Sequence, residues 1–165
     1  MSRRIVVGVS GRPSTLVAID WAVEYARAHE GLGLELVHVV EDSWGFIPMD
    51  VRDEVVTQAE KQLIDHIART RASAPELTVN GTVLEGPSIG RLVEQAEDAE
   101  LLAVGTHPLR RFGNQVFSTG AAQIAARARC SVAVVPDLAV PRGRKPTAEP
   151  PAARPELPSR PAVVV

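Results

Sequence analysis

The sequence is poor in most of the features that would give a chain of this size a specialised role. It holds one cysteine, Cys130, so no disulfide can form within the chain. A reducing, cytoplasmic setting is the expectation that follows. Aromatic residues make up only 4% of the chain. No excess of positive charge exists either: Lys and Arg number 18 against 20 Asp and Glu, and the formal net charge is −2. A dedicated nucleic-acid binder would carry a basic face or stripe, so nucleic acid is not an expected partner. Long apolar runs are missing as well. Ile5–Val9 follows Met-Ser-Arg-Arg directly and is too short for the apolar region of a secretory signal. Nothing approaches the roughly 18 apolar residues of a membrane span. The four histidines show no metal-ligand spacing, Cys130 has no CxxC partner, and no nucleophile elbow is visible. No metal and no catalytic constellation are expected, so the chain reads as a non-enzyme, with weak ATPase activity as the alternative left open.

Proline is scarce until the chain passes Asp137, and then it dominates. Residues 138–165 contain seven of the 13 prolines. Each lacks a backbone N–H and restricts its predecessor, so neither a helix nor a central strand can run through them. The segment also carries five basic residues against two acidic ones, a charge of +3. Against a total of −2, that leaves −5 on residues 1–137. Two parts are expected: a folded domain over 1–137 and a Pro/Arg-rich, disordered tail over 138–165. The tail could recruit an unidentified protein partner, and its terminal Val163-Val164-Val165 could dock on a sheet edge or on a partner.

Within 1–137 the apolar pattern alternates between two periods. Ile5–Val9, Leu34–Val40, Leu77–Leu84, Leu101–Val104 and Val132–Val135 read as short strands rich in branched residues. Between them, 14–29, 51–69, 88–96 and 119–129 show helical spacing, with Ser14 placed to cap the first helix. Such alternation specifies an α/β fold: one doubly wound domain with a five-stranded parallel sheet and helices on both faces. Ligands of open parallel sheets bind beyond the carboxyl ends of the strands. The segments expected there are Ser10–Ser14, Val40–Ser43 and the loop Gly105–Thr119. The last is rich in hydroxyls, contains Arg110 and Arg111, and opens a helix, which suits an anion. His107 reads as a solvated loop residue and His38 as a hydrogen-bonded core histidine. His29 and His66 read as surface residues, Glu41-Asp42 as a solvated strand end, and Cys130 as a small buried hydrophobe.

Leu102-Ala103-Val104-Gly105-Thr106-His107, Ser118-Thr119-Gly120 and Cys130-Ser131-Val132-Ala133-Val134-Val135 together resemble the C-terminal signature of universal stress proteins. Ile5-Val6-Val7-Gly8-Val9, Ser14, Trp21-Ala22 and Gly86-Pro87 fit the earlier part of the same pattern, so the resemblance runs from about residue 3 to 137. It implies an adenine nucleotide α-hydrolase-like fold, a homodimer joined through the last strand, and ATP or another adenine nucleotide as ligand. The cofactor-binding positions it implies are Ser10, Val39, Gly105, Thr106, Ser118, Thr119 and Gly120. The family's phosphate loop, Gly-x2-Gly-x9-Gly-Ser/Thr, is kept at Gly105 and Thr119. Pro108 replaces its second glycine, Ser118 its third, and Ser10 the aspartate that follows strand one. Pro108 removes a phosphate-facing N–H, Ser118 adds a Cβ, and Ser10 loses a carboxylate. A regulatory or ligand-sensing protein with a degenerate ATP loop is therefore expected. The alternative is a working sensor of ATP, cyclic AMP or a related nucleotide. An adenylating enzyme would need an intact loop and a catalytic partner.

Overall fold

A computed structural model describes residues 3–41, 48–106, 109–111, 114–116, 119–137 and 163–164. Strands β1 (Arg3–Val9), β2 (Leu32–Val40), β3 (Val79–Glu85), β4 (Leu101–Thr106) and β7 (Ser131–Pro136) are parallel and lie in the order β3-β2-β1-β4-β7. These are the five strands expected from the apolar runs. Helices α1 (Ser14–Ala28), α2 (Met49–Ser73), α3 (Ser88–Gln95) and α4 (Thr119–Arg127) connect them.

Successive strand side chains point to opposite faces, and both faces are covered. On one face, Ile5, Val7, Leu34, Leu36, Leu101, Ala103 and Val135 meet Ala18, Ile19 and Ala22 of α1 and Leu63 of α2. On the other, Val6, Val37, Leu102, Val104, Val132 and Val134 meet Leu92 of α3 and Ile124 of α4. Ile5, Val6, Val7, Leu36 and Leu102 are buried completely. This two-sided burial is why the strands read as unbroken apolar runs rather than as alternating ones.

Three expectations are corrected. The segment after β4 is not a plain loop: β5 (Leu109–Arg111) and β6 (Asn114–Val116) form a small antiparallel hairpin within it. Ser14 is not the cap of α1. Pro13 occupies the cap position without a side-chain hydrogen bond, and Ser14 is a buried residue of the first turn. Finally, β7 is not the last strand of the sheet. Val163–Val164 form β8, antiparallel to β7, with Val163 opposite Val134 and Val164 opposite Ala133. Residues 138–162, on which the expectation of a disordered tail falls, lie outside the described residues.

Candidate functional site

The chain runs from β1 to β2 and β3 on one side of the sheet, then crosses to β4 and β7 on the other. The connections leaving β1 and β4 therefore diverge, and a crevice opens at their carboxyl ends. A cleft of about 320 Å³ lies there. Its floor is Gly8, Val9 and Ser10 of the β1 end with Val104 and Gly105 of β4; Val39 of β2 and Ile89, Leu92, Ala121 and Ile124 of the α3/α4 layer wall it. A larger hollow of about 700 Å³ sits at the opposite, amino-terminal end of the strands. Its arginines are each engaged by a carboxylate: Arg3 by Glu100 at 2.5 Å, Arg4 by Glu35 at 2.9 Å and Arg27 by Glu76 at 2.7 Å. Topology and chemistry, not size, make the switch-point cleft the candidate site.

Thr15 organises the loop from β1 to α1. Its hydroxyl, in a side chain only 2% exposed, donates to the Ser10 carbonyl at 2.8 Å and accepts from the Ser10 N–H at 2.9 Å. Thr15 Oγ1 also lies 3.2 Å from Ser10 Oγ. The single Thr15 hydroxyl hydrogen already points to the carbonyl, so the Ser10 hydroxyl is the donor in that contact. Ser10 Oγ in turn accepts the Arg12 N–H at 3.4 Å. Ser10 is thus spent on holding its own loop.

Gly105 is required by packing. A Cβ there would stand 2.2 Å from the Ser14 carbonyl oxygen and 2.6 Å from its carbon. The first turn of α1 rests directly on the end of β4, which only a residue without a Cβ allows. Gly120, at the start of α4, is the opposite case: a Cβ would meet nothing within 4 Å, and the residue itself lines the cleft. On the far wall Ser88, the first residue of α3, donates to the Glu41 carboxylate at 2.6 Å. Glu41 is exposed at the end of β2, as expected, and this contact ties it across the cleft mouth. It is the one charged side chain among the described residues that line the cleft.

The structure brings four of the seven expected binding residues, Ser10, Val39, Gly105 and Gly120, into this cleft. Thr106 is buried at the end of β4, where its carbonyl accepts the Asp137 N–H at 2.8 Å, and it is not among the lining residues. Thr119 begins α4. Ser118, His107 and Pro108 lie outside the described residues, as do Asp42 and Ser43. Thr15, Ser88 and the apolar wall of Ile89, Leu92 and Ile124 were not expected at the site. Their signal was present in the helical patterns, since each lies in the first two turns of a helix that follows a strand.

Two histidines also depart from expectation. His38 is half-buried on β2, and its Nδ1 is buried without a hydrogen-bond partner. Burial, and secondarily the charge of His66, hold its pKa below the ordinary value. His66 on α2 is half-buried rather than a surface residue, and its pKa is lowered by burial and then by Arg69, with Asp65 opposing. His29 is exposed, stacked on Tyr25. Burial raises the pKa of the Cys130 thiol, as suits a packed residue. Among the described residues no group of histidines, cysteines and carboxylates could hold a metal ion. None of the described helices is long and apolar enough to cross a membrane.

Fold and cleft define a doubly wound parallel-sheet domain with a crevice at its switch point. The chain belongs to the universal stress protein family, whose model matches residues 1–136. It is 27% identical over 133 residues to Universal stress protein Rv2624c of Mycobacterium tuberculosis, an alignment covering 81% of this chain and 48% of that protein. The chain thus spans about half the length of the curated relatives it matches. Among solved structures it is similar to the universal stress protein UspA from Lactobacillus plantarum, with a TM-score of 0.66, 17% identity and coverage of 81% of this chain and 97% of that one. A universal stress protein in complex with cAMP gives a TM-score of 0.57 at 23% identity, covering 81% and 96%. A family protein from Arabidopsis thaliana with AMP bound gives 0.55 at 13% identity, covering 81% and 91%. At these identities the structural likeness establishes the fold.

Proposed function

We propose that this chain is a non-catalytic, ligand-sensing regulator whose switch-point cleft takes an adenine nucleotide of few phosphates and holds ATP only weakly. The observation that carries this reading is the knot between Ser10 and Thr15. At the β1 end of the cleft the chain offers no carboxylate, and the hydrogen of the hydroxyl in its place is committed to Thr15. Losing one charge-assisted contact costs about 1.5–3 kcal/mol, or roughly tenfold to a hundredfold in affinity. Glu41 adds negative charge at the cleft mouth and would repel a polyphosphate. In the sequence, Pro108 and Ser118 remove further phosphate contacts.

The apolar wall of Val39, Ile89, Leu92 and Ile124 suits a flat, weakly polar ring system. That wall, with the cAMP and AMP carried by structural neighbours, supports an adenine ligand rather than an unrelated one. Calorimetric titration with ATP, AMP and cyclic AMP tests the proposal. AMP or cyclic AMP should bind at least as tightly as ATP, with no phosphate released from ATP. Submicromolar ATP affinity would overturn it.

A further inference from the structure

The charged corner of the cleft is held in a defined geometry. Val39 and Glu41, two residues apart at the carboxyl end of β2, both line the cleft, and Ser88 and Ile89 open α3 beside them. Ser88 Oγ donates to Glu41 Oε1 at 2.6 Å, the distance of a charge-assisted bond. Among the described residues nothing donates to the second oxygen, Oε2. An ionised carboxylate only accepts, so Oε2 is an uncommitted acceptor whose carboxylate plane Ser88 fixes.

The rest of the cleft decides which part of a ligand meets that oxygen. Val39, Ile89 and Leu92 gather on β2 and α3, the side on which Glu41 and Ser88 stand. Gly105 and Gly120, where the backbone is bare and α4 begins, lie across the β1 end on the β4 side. A flat ring therefore rests beside Glu41, and a phosphate is favoured on the far side, away from the carboxylate. Resting on the nucleotide reading above, we propose that Glu41 selects the base and that Ser88 is its positioning residue: Oε2 accepts one N–H of a 6-aminopurine. A purine without that amino group leaves the acceptor without a donor. Guanine turns a 6-oxo acceptor toward the carboxylate, and its paired N1–H and N2–H donors suit a carboxylate with both oxygens open. By occupying Oε1, Ser88 disfavours that second mode, so the pair rejects guanine as well as attracting adenine.

Calorimetric titration of the full chain with AMP, purine riboside 5′-monophosphate and GMP is the test. All three share ribose and phosphate, so repulsion between Glu41 and phosphate cancels in their ratios. AMP should bind about tenfold more tightly than the purine riboside, the lower end for a charge-assisted bond because Glu41 is exposed. Glu41→Gln, which keeps the shape, should cut that preference to about threefold or less. Ser88→Ala should narrow the preference for AMP over GMP, and Ser88→Thr, which keeps the hydroxyl, should restore it. Melting of each variant reads the fold separately. A clasp that is only structural would lower Tm and leave the ratios unchanged, and that result would overturn the proposal. Equal wild-type affinity for AMP and the purine riboside would overturn it while leaving the cleft a nucleotide site. A wild-type preference for GMP would overturn it as well. Absence of AMP binding to the wild type would overturn the nucleotide reading itself, and this assignment with it.

Discussion

Two glycines border the same cleft, and the same substitution at each should act with opposite sign. In Gly105→Ala the new Cβ would fall 2.2 Å from the Ser14 carbonyl oxygen, 2.6 Å from its carbon and 3.1 Å from its Cβ. Ordinary contact begins near 3.4 Å, so backbone must move by about 1 Å. That backbone is the first turn of α1, which cannot retreat without loosening Thr15 from Ser10 and lifting Ala18 and Ile19 from the sheet. Overpacking of this kind costs about 3 kcal/mol, the upper end of its usual range. For a domain of this size each kcal/mol lowers Tm by about 4 °C, giving a fall of about 12 °C. Gly120→Ala meets nothing within 4 Å and lies in the first turn of α4. It should stabilise by up to about 0.5 kcal/mol through helix propensity and a less flexible unfolded chain. Gly120 nevertheless lines the cleft, so with the added methyl group affinity for AMP or cyclic AMP should fall while Tm rises. Calorimetric melting and titration of both variants separate the two effects. A Gly105→Ala variant that loses less than about 1 kcal/mol would refute the packing argument.

Thr15→Val keeps the shape of the side chain but removes every hydrogen bond it makes to Ser10. Chemical denaturation should show a loss of about 2 kcal/mol, and Thr15→Ser should restore most of it; equal losses in both variants would place the cost in packing instead. His38 and His66 both have pKa values lowered by burial, so below the ordinary 6.5 the unfolded chain binds protons that the folded chain resists. Stability should therefore be fully present above that pH and decline as pH falls through it toward the lower folded-state values. Denaturation at pH 7.5 and 5.5, chosen to bracket the unperturbed histidine pKa of about 6.5, should show a smaller decline in the His38→Gln/His66→Gln variant. An identical decline would assign the effect to carboxylates.

The fold was legible because parallel strands buried on both faces leave no room for ambiguity in composition. Ile5–Val9 and Leu101–Val104 are unbroken apolar runs, and every helix between strands shows one apolar stripe. The site was legible only to the extent that topology fixes it. Ser10, Gly105 and Gly120 follow from strand ends and helix starts, which a sequence displays. The role of Thr15 does not, because a threonine at the second position of a helix looks the same whether its hydroxyl faces solvent or folds back to a residue five positions earlier. The buried Nδ1 of His38 was hidden for a related reason: a histidine within an apolar strand predicts burial, but not whether a partner faces it.

The sheet edge shows the same limit in its strongest form. The tail's proline density over residues 138–162 is displayed by the sequence directly, and what it says is local. Whether three valines at its end find a partner depends on which edge lies within reach, and that is a property of the assembled sheet. Local chemistry therefore specifies the elements and the cleft floor, whereas long-range pairing decides what the chain does with its one apolar edge. A stress-type domain with this core but without this terminus would present β7 to its surroundings. In this chain the terminal valines lie beside it, Val163 opposite Val134 and Val164 opposite Ala133, a pairing that no local pattern in the sequence specifies.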